Sequence, residues 1–259
     1  MSGTRKQYDP ANGSTMSLGD HLEELRARII LALAGLALGL IVCLILGGWI
    51  VRFIERPYVR IMGEQTRLQA LGPTDGFICY MQIALISGLI LSSPWVFYQL
   101  WMFVAAGLYP HEKKYVYTAI PFIAFLFITG AMFFMFVIGP VGLTFLIKFN
   151  QEFLGVASNF TFKNYVSFIA LMMLVFGLGF QMPLVIFLLI KTGIVSTDTL
   201  RKSRKFVILT VVIIAAVATP GPDPFSQLAL AIPLYGLFEL GILLAGLSER
   251  HKTNEKRFT

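Results

Sequence analysis

Long apolar runs separated by short charged segments dominate this chain. Ile29 to Val51, Gly76 to Trp101, Tyr115 to Ile138 and Tyr165 to Ile190 contain no Lys, Arg, Asp or Glu. Each is long enough for an apolar helix to cross a hydrocarbon core of ~30 Å, which takes ~20 residues. A further apolar stretch is split by Thr219-Pro-Gly-Pro-Asp-Pro224 into 206–218 and 225–247. The pattern predicts an all-α integral membrane protein with six transmembrane helices. The fifth is the weak one: 13 residues cover only about 20 Å at a helical rise of ~1.5 Å per residue.

Between the runs the pattern changes. Residues 1–17 are polar with no apolar period and predict a flexible arm. From Leu18 the apolar positions Leu18, Leu22, Leu25 and Ile29 recur at helical spacing, with Asp20, Glu23, Glu24 and Arg26 between them. That helix should lie on, or enter, one membrane face. The loops 52–75 and 139–164 alternate charged and isolated apolar residues, which predicts short interfacial helices. Within the second, Val141 to Phe149 is too short to span and is expected to cap the bundle. Residues 18–247 thus form one transmembrane domain and 248–259 a polar tail.

Glycine and proline are frequent inside the spans, among them Gly35, Gly39, Pro94, Gly130, Pro183 and Pro233. Such residues allow close packing and kinks in membrane helices, where neighbours satisfy the freed backbone groups. Bent helices, and hence a concave surface, are expected.

Composition agrees: the chain is 56% hydrophobic and 14% charged, which a water-soluble globule of this size does not carry. Basic residues are retained on the cytoplasmic side. Fifteen of the 21 Lys and Arg fall on the side of the two termini and six on the other, so both ends should be cytoplasmic. The first outer loop, with Arg52, Arg56, Arg60 and Arg67, is more basic than that rule prefers. The net charge of +7 then reflects topology and attraction to anionic lipid, not a nucleic-acid footprint. The long arm and the acids before the first run argue against a cleavable signal peptide. Cys43 and Cys79 lie toward the outer ends of the first two spans. They read as small packing residues, although a disulfide between them is left open.

Chemistry is sparse. The chain has no phosphate-binding loop, no His-Glu-x-x-His, no cysteine pair at ligand spacing and no nucleophile elbow, so neither a cofactor nor a metal site is expected. Three acids stand beside or within apolar segments: Glu24, Glu112 and Glu239. A carboxylate near hydrocarbon needs a partner or a function. Glu24 and Glu112 could be solvated, or paired with Arg26, Arg28, Lys113 or Lys114. Glu239 could be partly exposed at the cytoplasmic interface. A small-solute transporter and a membrane-embedded enzyme are alternatives, but there is no inverted repeat and no set of facing catalytic groups.

These acids stand in strings that resemble the TatC family, the multispanning core subunit of the twin-arginine protein translocase. The strings are His21-Leu-Glu-Glu-Leu-Arg26, Tyr98-Gln-Leu-Trp-Met-Phe103, Gly107-Leu-Tyr-Pro-His-Glu-Lys-Lys114 and Phe176-Gly-Leu-Gly-Phe-Gln-Met-Pro183. Leu200-Arg-Lys-Ser-Arg204, Asp223-Pro-Phe-Ser-Gln227, Ala231-Ile-Pro-Leu-Tyr235 and Phe238-Glu239 continue the match in order. The resemblance implies a non-enzymatic receptor in the bacterial cytoplasmic membrane for signal peptides bearing paired arginines. Such a receptor works in a higher-order complex with TatA- and TatB-type single-span partners to export folded proteins on the proton motive force.

It further implies that Glu24 and Glu112 receive the arginines, while Phe103, Leu108, Tyr109 and Pro110 shape the apolar part of the contact. A carboxylate accepts the planar guanidinium fork bidentately. Many relatives carry Glu where this chain has Gln181, which can hydrogen-bond but not ionise. Gln181, Gln227 and Glu239 are the candidate intramembrane polar or partner contacts, and the short fifth span is a place for a partner helix to lodge.

Overall fold

The computed structural model describes residues 18–63, 68–106, 110–156, 160–191, 194–219 and 224–255. Among these the chain is helical, apart from turns and one isolated parallel bridge between Gln69 and Thr161. The helices are α1 (Leu18–Ile45), α2 (Gly47–Met62), α3 (Asp75–Ala106), α4 (Pro110–Phe133), α5 (Gly139–Lys148), α6 (Phe162–Gly179), α7 (Met182–Lys191), α8 (Thr197–Lys202), α9 (Arg204–Ala218) and α10 (Pro224–Glu255).

Five segments among the described residues are long and apolar enough to span a membrane: Leu22–Ile45, Asp75–Phe103, Ile120–Phe153, Phe162–Lys191 and Gln227–Leu247. The predicted fifth run forms α9, whose 15 residues reach roughly 22 Å. That is the shortfall its sequence implied.

The third span departs from expectation. Instead of ending near Ile138 and leaving a separate cap, it continues through a π-helical turn at Phe134–Ile138 into α5, then through a second at Phe149–Phe153. Pro140, which has no N–H to return to the preceding turn, is the second residue after the first π turn. The helix absorbs the defect as a bulge and runs on. The fourth span does the reverse, breaking at Phe180 and Gln181 between α6 and α7, with Pro183 in the first turn of α7. In α3 the carbonyl of Ile90, deprived of its partner by Pro94, accepts from the Ser93 hydroxyl at 2.7 Å.

Packing is built outward from α3, which lies against α1, α4 and α6, while α10 lies against α7 and α9. The main core joins Phe127, Phe134, Met172 and Phe176 with Ile83, Leu230 and Val211. A smaller cluster of Ile186, Ile190, Phe238 and Ile242 seals α7 to α10.

The end of the bundle that follows α1 is tied by α2, a short helix of the kind expected in this loop, although it begins at Gly47, inside the run read as the first span. Ile54 and Tyr58, one turn apart, are buried. The Tyr165 hydroxyl donates to the Ile54 carbonyl at 2.7 Å, and the Tyr165 ring lies 5.5 Å from that of Tyr58. Cys43 and Cys79 are buried free thiols, so they serve as packing residues and not as a bridge.

The α1–α3 pair sets the geometry of the opposite end. A Cβ on Gly39 would fall 2.7 Å from the Gly88 carbonyl oxygen, and one on Gly88 would fall 2.9 Å from the backbone of Leu40. The helices cross at this glycine contact because nothing larger fits. From it, an antiparallel register carries Leu31 to Trp95, whose indole donates to the Leu31 carbonyl at 2.9 Å, and Arg28 to Gln99.

Candidate functional site

Gln99 is only 2% exposed, although it lies near the end of a membrane helix. Its amide oxygen accepts from the Arg28 guanidinium at 3.1 Å. The same guanidinium donates to Glu24 Oε1 at 3.3 Å, one helical turn away. Arg28 is therefore divided between a buried neutral acceptor on α3 and a carboxylate on its own helix. The Arg28 and Glu24 side chains are 24% and 22% exposed, which places them at the boundary of the packed bundle. A charge-assisted contact there is stronger than one in open water.

Trp95, Gln99 and Phe103 recur every fourth residue along α3 and so share a face. The register that pairs Trp95 with Leu31 and Gln99 with Arg28 sets half-buried Phe103 level with Glu24. One oxygen of Glu24 is held by Arg28, and among the described residues no contact occupies the other. The site thus offers a partly dehydrated, oriented carboxylate with an aromatic side chain at its level.

The remaining predicted residues are distributed differently. Leu108 and Tyr109 lie outside the described residues. Pro110 and Glu112 fall in the first turn of α4, where the description covers the backbone alone.

Gln181 sits in the break between α6 and α7. Its amide nitrogen donates to the Ile123 carbonyl of α4 at 3.0 Å, and its amide oxygen is buried without a partner among the described residues. Gln227 donates to the Val212 carbonyl at 3.2 Å, which ties α10 to α9. Glu239 is held on both oxygens, by Arg204 of α9 at 2.8 Å and by the Tyr235 hydroxyl at 2.6 Å. Glu239 therefore joins two helices and is not grouped with Glu24.

Sequence reasoning assigned no role to Gln99 or Arg204. Gln99 was visible as the polar residue of an otherwise apolar string, but its partner lies 71 residues away. Glu24 and Arg28 carried an i,i+4 signal that makes their pairing legible.

A bundle of apolar helices with a carboxylate oriented where α1 meets α3 defines a multispanning membrane protein with polar chemistry at a helix end. Residues 20–233 match the family Sec-independent protein translocase protein (TatC).

Relatives include the Sec-independent protein translocase protein TatC of Carboxydothermus hydrogenoformans, 36% identical over 230 residues, covering 89% of this chain and 93% of that protein. That of Desulforapulum autotrophicum is 32% identical over 237 residues, covering 92% and 87%. The crystal structure of the twin arginine translocase receptor TatC superposes with a TM-score of 0.79 at 31% identity, covering 88% of this chain and 99% of that one. The chain belongs to the TatC family, and as such is a component of the Sec-independent protein translocase, not a small-solute transporter.

Proposed function

We propose that this protein is the signal-peptide receptor of a twin-arginine translocase, with Glu24 and Glu112 each accepting an arginine of the incoming peptide. The observation that carries the reading is the half-engaged Glu24 carboxylate, held in orientation by Arg28 and set level with Phe103. An arriving guanidinium finds an acceptor oxygen of Glu24 that no described residue holds. It also finds Arg28 already anchored to Gln99, so the resident cation need not leave for the new one to bind. Lysine, a point charge without a planar fork, gains less from the same arrangement. The comparison receptor's description as a twin arginine translocase receptor supports the assignment.

In this reading α9 crosses as a sixth, short span, and both termini and the Glu24 site lie on the cytoplasmic face of a bacterial inner membrane. The fifteen-to-six distribution of basic residues supports that orientation. The short α9 thins the bilayer locally, and TatA- and TatB-type single-span partners lodge beside it. The spare amide oxygen of Gln181 is a hydrogen-bond acceptor for such a helix or for water. Folded cargo is far wider than this bundle, so export requires these partners in a higher-order complex, driven by the proton motive force.

The test is binding of a twin-arginine signal peptide to the purified protein, against the same peptide carrying two lysines. The arginine peptide should bind at least tenfold more tightly, and Glu24→Gln or Glu112→Gln should each erase most of that preference. Equal affinity for both peptides would overturn the assignment.

A further inference from the structure

The excess of arginine in the first outer loop is not explained by signal recognition or by topology, and α2 shows how that charge is arranged. Arg52, Arg56 and Arg60 stand four residues apart and are all exposed, on the side of the helix away from buried Ile54 and Tyr58. They form one row roughly 12 Å long on an α-helical rise. Trp49, 75% exposed, begins the row one turn earlier. Two of the guanidiniums lie over aromatic rings of their own helix: Arg52 is 5.3 Å from the Trp49 ring centre and Arg56 is 5.8 Å from that of Phe53. Stacking of this kind holds the guanidinium plane and leaves its edge donors pointing outward. Arg52 also donates Nε to the Gly48 carbonyl at 3.0 Å, which fixes its stem.

Among the described residues no ion pair involves Arg52, Arg56 or Arg60. Glu55, the acid on the same helix, is half-buried and forms no ion pair with these arginines among the described residues. The position of the helix is also set. It begins at Gly47, directly after α1 ends at Ile45, and it is fastened to the bundle through Ile54 and Tyr58. It therefore follows directly on a candidate membrane span, and arginine and tryptophan at such a helix end favour the level of the phospholipid headgroups.

We propose that the Arg52–Arg56–Arg60 row is a docking surface for the phosphates of anionic phospholipids, with Trp49 seated among the headgroups. The occupant follows from chemistry and place together. A row of planar donor forks fits phosphate oxygens, and the bilayer supplies a two-dimensional array of phosphates at this level. Anionic lipid also offsets the cost of leaving this much positive charge on the side that the basic-residue rule disfavours. The inference does not depend on signal-peptide binding, so each can fail alone.

The experiment uses the full chain, purified in detergent and exchanged into equimolar phosphatidylglycerol and phosphatidylcholine, washed, and assayed for retained lipid by mass spectrometry. The native chain should retain phosphatidylglycerol in preference. An arginine near an anionic surface contributes roughly fivefold in affinity. The variant Arg52→Gln/Arg56→Gln/Arg60→Gln, eluting as the native protein does, should therefore lose at least tenfold of the enrichment. The corresponding triple Arg→Lys variant, which keeps charge but not the planar fork, should lose a few-fold.

A native chain with no preference for phosphatidylglycerol overturns the proposal whatever the variants do. So does a glutamine variant that retains the full preference, even one that loses an acidic protein contact. Displacement of the lipid by inorganic phosphate, but not by chloride of equal ionic strength, would make free phosphate the ligand and also overturn it.

Discussion

The Arg28 guanidinium donates to the Gln99 amide oxygen at 3.1 Å, bridging α1 and α3 beside the Glu24 carboxylate. The two partners are unequal. Gln99 is buried and has no access to water, whereas Arg28 keeps both Glu24 and partial exposure. Arg28→Ala should therefore leave a buried amide unsatisfied and cost about 1–3 kcal/mol, while Gln99→Leu should cost less than about 1 kcal/mol. Thermal unfolding in a common detergent distinguishes the two. The order should reverse only if Gln99 bonds elsewhere.

At the α1–α3 crossing the obstacle is backbone, which cannot rotate away. Gly39→Ala places a methyl group 2.7 Å from the Gly88 carbonyl oxygen, and overpacking of this kind costs about 1–3 kcal/mol. Gly48→Ala meets nothing within 4 Å and serves as the control. The measurement is again the unfolding midpoint, with Gly39→Ala lowered and Gly48→Ala unchanged or raised.

The Arg204–Glu239 pair is short at 2.8 Å, yet its side chains are 47% and 32% exposed. Solvent screening limits such a pair to about 0–1 kcal/mol. In Glu239→Gln the amide oxygen can still accept from Tyr235, whose hydroxyl now bonds the carboxylate. Stability should change by less than about 1 kcal/mol, and twin-arginine peptide affinity should be unaffected. A large loss of peptide binding would place Glu239 in the recognition site.

Glu55 supplies a pH dependence. Burial raises its carboxyl in the folded protein above the ordinary ~4.3 of a glutamate. The folded state then binds the proton more tightly than the unfolded state does, so stability falls as pH rises from the unfolded value through the raised folded one. Glu55→Gln should raise the unfolding temperature at pH 7 and leave it unchanged at about pH 2.5, well below the ordinary glutamate value, where the native carboxyl is protonated in both states. An equal gain at both pH values would contradict this.

Much of this architecture is legible in local pattern. The apolar runs mark the helices because burying an unpaired backbone in lipid is prohibitive, so a run of that length must be helical. A short helix in the first loop was expected from its mix of charged and isolated apolar residues, but its start at Gly47 and its buried face of Ile54 and Tyr58 came from the structure. The path of the third span was not legible. Pro140 and the glycines beside it resemble the end of a helix, but neighbouring packing lets the chain form a π turn and continue to Phe153. The break at Gln181, two residues before Pro183, is a bend of the kind that proline led one to expect, although its position and its hydrogen-bond partner were not legible.

The sequence by itself determined that this chain is a helical membrane protein, where its apolar helices lie, and that Glu24 stands at the start of the first span. These depend on composition and on spacing within one turn or one helix. Only the tertiary structure decided which polar group answers which. Arg28 meets Gln99, Arg204 meets Glu239, and the amide of Gln181 meets Ile123, across 71, 35 and 58 residues respectively. Those pairings depend on crossing points such as Gly39 against Gly88, where close approach of two backbones sets the register of everything along the two helices. No local periodicity encodes such a register, because it is a property of two surfaces in contact.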